Sequence, residues 1–61
     1  MKISEFKRLL KSLGCRFETH GGRHDNWFNP ETGKVFQVPR HDAQELKKGT
    51  LEAIMKQAGL K

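Results

Sequence analysis

The sequence predicts an α+β domain of order α-β-β-β-α, with a three-stranded antiparallel sheet and both helices on one of its faces. Three observations predict it. Apolar residues recur at helical spacing near each end, the central stretch alternates with a period of two, and two turn signals cut that stretch into three runs. No internal repeat or low-complexity segment interrupts the pattern.

Ser4 is placed to cap the first helix, whose apolar residues Phe6, Leu9, Leu10 and Leu13 fall at i, i+3, i+4 and i+7. Gly14 ends it in the manner of a C′ glycine. Lys7, Arg8 and Lys11 lie off the stripe, on a solvated face. From Cys15 to His20 the residues alternate, Cys15, Phe17 and Thr19 against Arg16, Glu18 and His20, as in a half-buried strand. A glycine turn leads into a second strand, His24 to Asn29. Pro30-Glu31-Thr32-Gly33 is a further turn, and Lys34 to Val38 a third strand stopped by Pro39.

Register follows from which faces must be buried. Phe36 and Val38 share a face, and a four-residue loop at 30–33 sets Trp27 opposite Phe36. A two-residue Gly-Gly loop in the first hairpin would leave Phe17 and Trp27 on opposite faces. A three-residue loop, Gly21-Gly22-Arg23, pairs Phe17 with Trp27 and His20 with His24, and burial selects it. His24, Asn26, Phe28 and His20 are then expected on the open face. Downstream, Asp42-Ala43-Gln44-Glu45 fits a capping box opening a short helical turn that ends near Lys48. Gly49 interrupts, and Thr50 caps a second helix with Leu51, Ile54, Met55 and Ala58 on one stripe. Gly59 and Leu60 supply a Schellman ending.

Sixty-one residues suffice for one domain, 1–61, with no room for a second. Such a domain buries only about 60% of the surface its unfolded chain exposes, so any site is shallow and suits a polymer better than a small molecule. Twelve Lys and Arg against seven Asp and Glu give a formal charge of +5. That balance points to an anionic partner, most often nucleic acid. The bases are dispersed, which argues for a folded basic surface over a disordered tail. Cys15 is the only cysteine and reads as a small buried apolar residue in a reducing compartment. Without a signal peptide or an apolar run long enough to span a membrane, the chain reads as cytoplasmic.

Chemistry concentrates in Gly21-Gly22-Arg23-His24-Asp25-Asn26-Trp27. Glycine brings main-chain N–H groups close to a ligand, arginine suits phosphate, and histidine titrates nearest neutrality. The residues alone leave two readings open: phosphodiester chemistry, or a hairpin with a polar tip. His20 and His24 are four apart, but the glycine pair breaks any helix there; with one cysteine and no carboxylate cluster, no metal or other cofactor is expected. A lone histidine can still act on RNA, where the ribose 2′-OH is a nucleophile already held beside its phosphorus. Lys47 and Lys48 precede the last helix, whose N-terminus attracts phosphate, and Arg40 and His41 extend the same surface. Simple solvation or capping remains open for each. Phe28 either stacks on a base or packs at the sheet rim. Asp25 is read as orienting a neighbour or pairing with a base.

Gly-Gly-Arg-His-Asp-Asn-Trp, Asn29-Pro30 with Thr32-Gly33-Lys34, Val38-Pro39-Arg40-His41, Lys48-Gly49-Thr50-Leu51 with Ile54, and Gln57-Ala58-Gly59-Leu60 occur in this order. Together they resemble the HicA toxins of prokaryotic toxin–antitoxin systems, along nearly the whole chain. The resemblance implies a double-stranded-RNA-binding-domain-like fold and metal-free endoribonucleolytic cleavage of mRNA by an mRNA interferase. It also implies a HicB-type antitoxin as partner. The family's catalytic histidine falls on His24, and Arg23 stands where many members carry a small serine. RNA contacts are then expected from Gly22, Arg23, Phe28, Arg40, His41, Lys47 and Lys48, with His20 a candidate to assist His24. The competing expectation is a non-catalytic RNA-binding module.

Overall fold

Two amphipathic helices close over one face of a small sheet, and the other face stays open. The computed structural model describes residues 1–60. Its elements are α1 (Ile3–Ser12), β1 (Arg16–His20), β2 (His24–Asn29), β3 (Lys34–Pro39) and α2 (Lys48–Gln57). The strands lie in the order β1-β2-β3, all antiparallel. Phe6 and Leu10 from α1, with Ile54 of α2 and its C-cap Ala58, bury against Trp27, Phe36 and Val38, and Ile3, Cys15 and Leu46 complete the core. Burial also pushes the Cys15 thiol above its ordinary pKa, with Glu31 adding to the effect, so the sulfur behaves as an apolar group.

Trp27 stands opposite Phe36 and Phe17 opposite Trp27, as expected, but Phe17 stays 41% exposed and all of β1 is exposed, so the first strand is an uncovered edge and not half-buried. His20 does not stand opposite His24. The β1 ladder slips by one residue between Phe17 and Thr19, so His20 pairs with Asp25. A bulge of this kind sets two residues against one and reverses the facing of everything beyond it. Phe17 and His20 therefore share the helix-side face, their rings 4.9 Å apart, while Thr19 turns to the open face and accepts a hydrogen bond from Asn26 at 3.2 Å.

Both helix starts differ from expectation, and at the first the reason is that main-chain oxygens of Asp42 and Gln44 already serve the free N–H groups. Ser4 lies inside α1, whose N-cap is Lys2. The Ile3 and Ser4 N–H groups donate to the carbonyls of Gln44 and Asp42 at 3.0 and 3.1 Å. Residues 42–45 thus form a single turn, closed by Gln44 N–H on the His41 carbonyl at 2.9 Å, that crosses the head of α1 with Glu45 bridged to Lys2 and does not continue helically to Lys48. The second helix begins at Lys48 after an N-cap at Lys47, two residues before Thr50, its first bond running from Leu51 N–H to the Lys47 carbonyl at 2.9 Å. Gly49 is tolerated there because its N–H has no intrahelical partner in any case.

Both helices end as expected, with Cys15 N–H reaching the Leu10 carbonyl and Leu60 N–H the Met55 carbonyl, each at 2.9 Å. Gly59 has a φ of +74°, and a Cβ there would lie 2.8 Å from Thr32 Cγ2. This tight approach seats the end of α2 on the β2–β3 turn. Asn29, only 1% exposed, donates its amide to the Ala58 carbonyl at 2.7 Å and accepts from Glu31 N–H at 3.1 Å.

Candidate active site

Alternation along β2 decides where each polar side chain goes. Asp25, Trp27 and Asn29 turn inward, leaving His24, Asn26 and Phe28 on the open face. His24, the first residue of the strand, is exposed and stands opposite Pro39. Its carbonyl accepts from Gly21 N–H at 2.9 Å, which closes the hairpin. The backbone is so close here that a Cβ on Gly21 would lie 2.5 Å from that oxygen, whereas Gly22 has open space around it.

Two shallow grooves meet at His24. One is lined by Gly22, Arg23, Pro39, Arg40 and His41, joining the hairpin tip to the exit of β3. The other runs between β3 and the last helix, past Gln37, Pro39, Thr50, Ala53, Ile54 and Gln57. The first offers cations and main-chain groups, as phosphate binding needs; the second offers two carboxamides and a hydroxyl along an apolar wall. An imidazole at their junction is within reach of solvent and of a ligand lying across both.

The expected site residues separate accordingly. His24, Gly22, Arg23, Arg40 and His41 are brought together. Lys47 and Lys48 lie outside both grooves, at a helix N-terminus whose first turn has no acidic residue and whose Thr50 borders the second groove. Phe28 is on the open face but half-covered, with the Arg16 guanidinium 5.2 Å from its ring centroid. His20 belongs to the other side of the sheet. Among the described residues, no cluster of three or more His, Cys, Asp or Glu side chains could hold a metal. No helix among them is long and apolar enough to cross a membrane.

Beneath His24 lies a group the sequence reading undervalued. Asp25 is 6% exposed and its Oδ1 accepts from His20 Nδ1 at 2.8 Å and from Arg40 Nε at 2.9 Å. Lys7 Nζ is 4.0 Å from Oδ2 and also donates to Asp42 Oδ1 at 2.6 Å. Burial alone would raise the Asp25 pKa, but the bonds from His20 and Arg40 outweigh it and hold the carboxyl below its ordinary value. The same Arg40 donates through Nη2 to the Gly21 carbonyl. A charged residue in phase with Trp27 on a core-facing strand was the available signal.

The family model described as the HicA toxin of bacterial toxin–antitoxin systems matches residues 3–60. The chain is similar to the probable mRNA interferase HicA of Pseudomonas fluorescens (strain Pf0-1), with 44% identity over all of this chain and 98% of that one. It is 39% identical to the probable mRNA interferase HicA 2 of Photorhabdus laumondii, over the full length of both. Its fold matches a chain in the crystal structure of the E. coli HicAB toxin–antitoxin complex, with a TM-score of 0.85 and 37% identity over 98% of this chain and 100% of the other.

Proposed function

This chain belongs to the HicA toxin family of bacterial toxin–antitoxin systems, and on that premise we propose that it is an mRNA interferase, an endoribonuclease that blocks translation by cutting mRNA. A HicB-type antitoxin is its partner and neutralises it by covering the open face. It works in the cytoplasm, where message and antitoxin are both made, and residues 1–61 act as one domain.

The observation that carries the reading is an exposed histidine at the junction of a cationic and a polar groove. RNA laid across that junction places a phosphate near Arg23 and His41 and the adjoining ribose near His24. The His24 imidazole takes the proton of the 2′-OH. The 2′-oxygen attacks phosphorus, the bond from phosphorus to the 5′-oxygen breaks, and that oxygen leaves with a proton drawn from the open solvent side. General acid–base help of this kind is worth about 10²–10⁴-fold. Cationic side chains stabilise the charge gathering on the phosphate. Products carry 2′,3′-cyclic phosphate and 5′-hydroxyl ends, and no metal takes part. Lys47 and Lys48, beside a helix N-terminus, hold a phosphate farther along the strand. Phe28 and Arg16 offer a stacking surface on the same open face.

The test incubates wild-type and His24→Ala chains with RNA in EDTA, then identifies the product ends. Cyclic phosphate from the wild type and none from His24→Ala, with RNA binding retained, is the expected result. Products with 5′-phosphates, or cleavage abolished by the chelator, contradict the mechanism. Binding without cleavage by the wild type supports the non-catalytic module instead.

A further inference from the structure

We infer that Asp25 is the positioning residue of this site: its buried carboxylate, acting through Arg40, fixes the hairpin tip that presents His24. The inference rests on the nuclease reading for its kinetic half only.

The connections are specific. Asp25 Oδ1 holds Arg40 Nε at 2.9 Å, and the other arm of that guanidinium reaches the Gly21 carbonyl. Gly21 N–H in turn holds the His24 carbonyl at 2.9 Å. A chain of three contacts therefore leads from a carboxylate on the helix-side face to the backbone of the proton-transfer residue on the other. His20, at the end of β1, grips the same oxygen from the opposite direction, and Lys7 from α1 stands near the second oxygen. Three side chains, from β1, from α1 and from the exit of β3, thus converge on one anion carried by β2. The arrangement also explains what Arg40 does: two of its donors are committed to the protein, so it shapes the cationic groove as well as charging it. A guanidinium can bridge two acceptors in this way, whereas a lysine ammonium is a single point that reaches one.

None of this group touches the reacting atoms. Its effect is on geometry, where a displacement of about 1 Å costs on the order of 10²-fold in rate. Neutralising the carboxylate weakens charge-assisted bonds that are roughly twice as strong as neutral ones.

The test uses two variants of the full chain, Asp25→Asn and Arg40→Lys. Arg40→Lys keeps the charge that attracts RNA but loses the bridge. Amide hydrogen exchange reads the Gly21 N–H directly, with Trp27 and Phe36 as references for the core. In both variants the Gly21 amide is expected to exchange about tenfold faster or more, while the reference amides stay protected. On RNA, kcat is expected to fall by about tenfold or more with KM changed less than about twofold. A folded Asp25→Asn chain with wild-type protection at Gly21 overturns the inference. So does loss of protection at Trp27 and Phe36 together with Gly21 in both variants, which would make the carboxylate a support of the whole fold. A rise in KM alone overturns it too, because that assigns Arg40 to RNA contact only. If the wild type cuts no RNA yet the exchange result holds, the turn-fixing role stands and the nuclease reading fails.

Discussion

Replacing Gly21 with alanine puts a Cβ 2.5 Å from the His24 carbonyl oxygen and 3.5 Å from Asn26 Nδ2. The first of these neighbours is main chain and cannot swing aside. It must retreat by roughly 0.5–1 Å to regain an ordinary contact. That retreat lengthens the Gly21 N–H bond to the same oxygen, now 2.9 Å. Overpacking costs about 1–3 kcal/mol and a lost hydrogen bond about 0.5–1.5 kcal/mol, giving a combined loss of about 1.5–4.5 kcal/mol. For a domain whose whole stability is roughly 3–9 kcal/mol, that is a large share. Gly22 is the internal control: neither glycine has a positive φ, and nothing lies within 4 Å of a Cβ added at Gly22. Gly22→Ala should therefore stay within about 0.5 kcal/mol of wild type. Urea melts followed by Trp27 fluorescence measure both variants, and RNA cleavage at a temperature where each is folded measures the site. We expect Gly21→Ala to lose about 10²-fold in kcat even when folded. Equal stability and equal activity for the two alanine variants would refute the close-approach reasoning.

Two further outcomes follow from buried polar groups. Asn29→Ala removes the 2.7 Å donor to the Ala58 carbonyl, which keeps Thr32 Oγ1 at 3.1 Å, and leaves the Glu31 N–H without its 3.1 Å acceptor, and should cost about 1–3 kcal/mol in a urea melt. For Asp25, the folded-state pKa is lowered from 3.8, so its stabilisation is present above that unfolded value and is lost as pH falls through the lower folded one. Melts across the acid range should show stability falling below about pH 4, with a shallower fall in Asp25→Asn.

Element order, strand faces and much of the register were legible because each rests on a count. The loop at 30–33 fixes Trp27 opposite Phe36, and the alternation of apolar residues puts Phe17 opposite Trp27, although Phe17 itself stays 41% exposed. The bulge near Glu18 has no such signature, since no glycine or proline marks it, and missing it misplaced His20. Helix starts were misread at Ser4 and Asp42, where local capping signals competed with main-chain partners from distant segments that a linear reading cannot see, while Thr50 is the third residue of α2, whose N-cap is Lys47. His24 was placed by alternation alone. Its neighbours Gln37, Thr50 and Gln57 come from different elements and needed the packing of α2 on β3 to assemble. Asp25 could have been found: an acid in phase with Trp27 must have partners, though the sequence does not say that Arg40 is one.

The clasp between Asn29 and Ala58 has a consequence for how the molecule is made. Until residues 50–58 have left the ribosome, the inward faces of Phe36 and Val38 lack their lid and the groove past Gln37 lacks one wall. The groove at His24 is therefore the last part of the molecule to be completed, once the C-terminal helix has emerged and docked on β3.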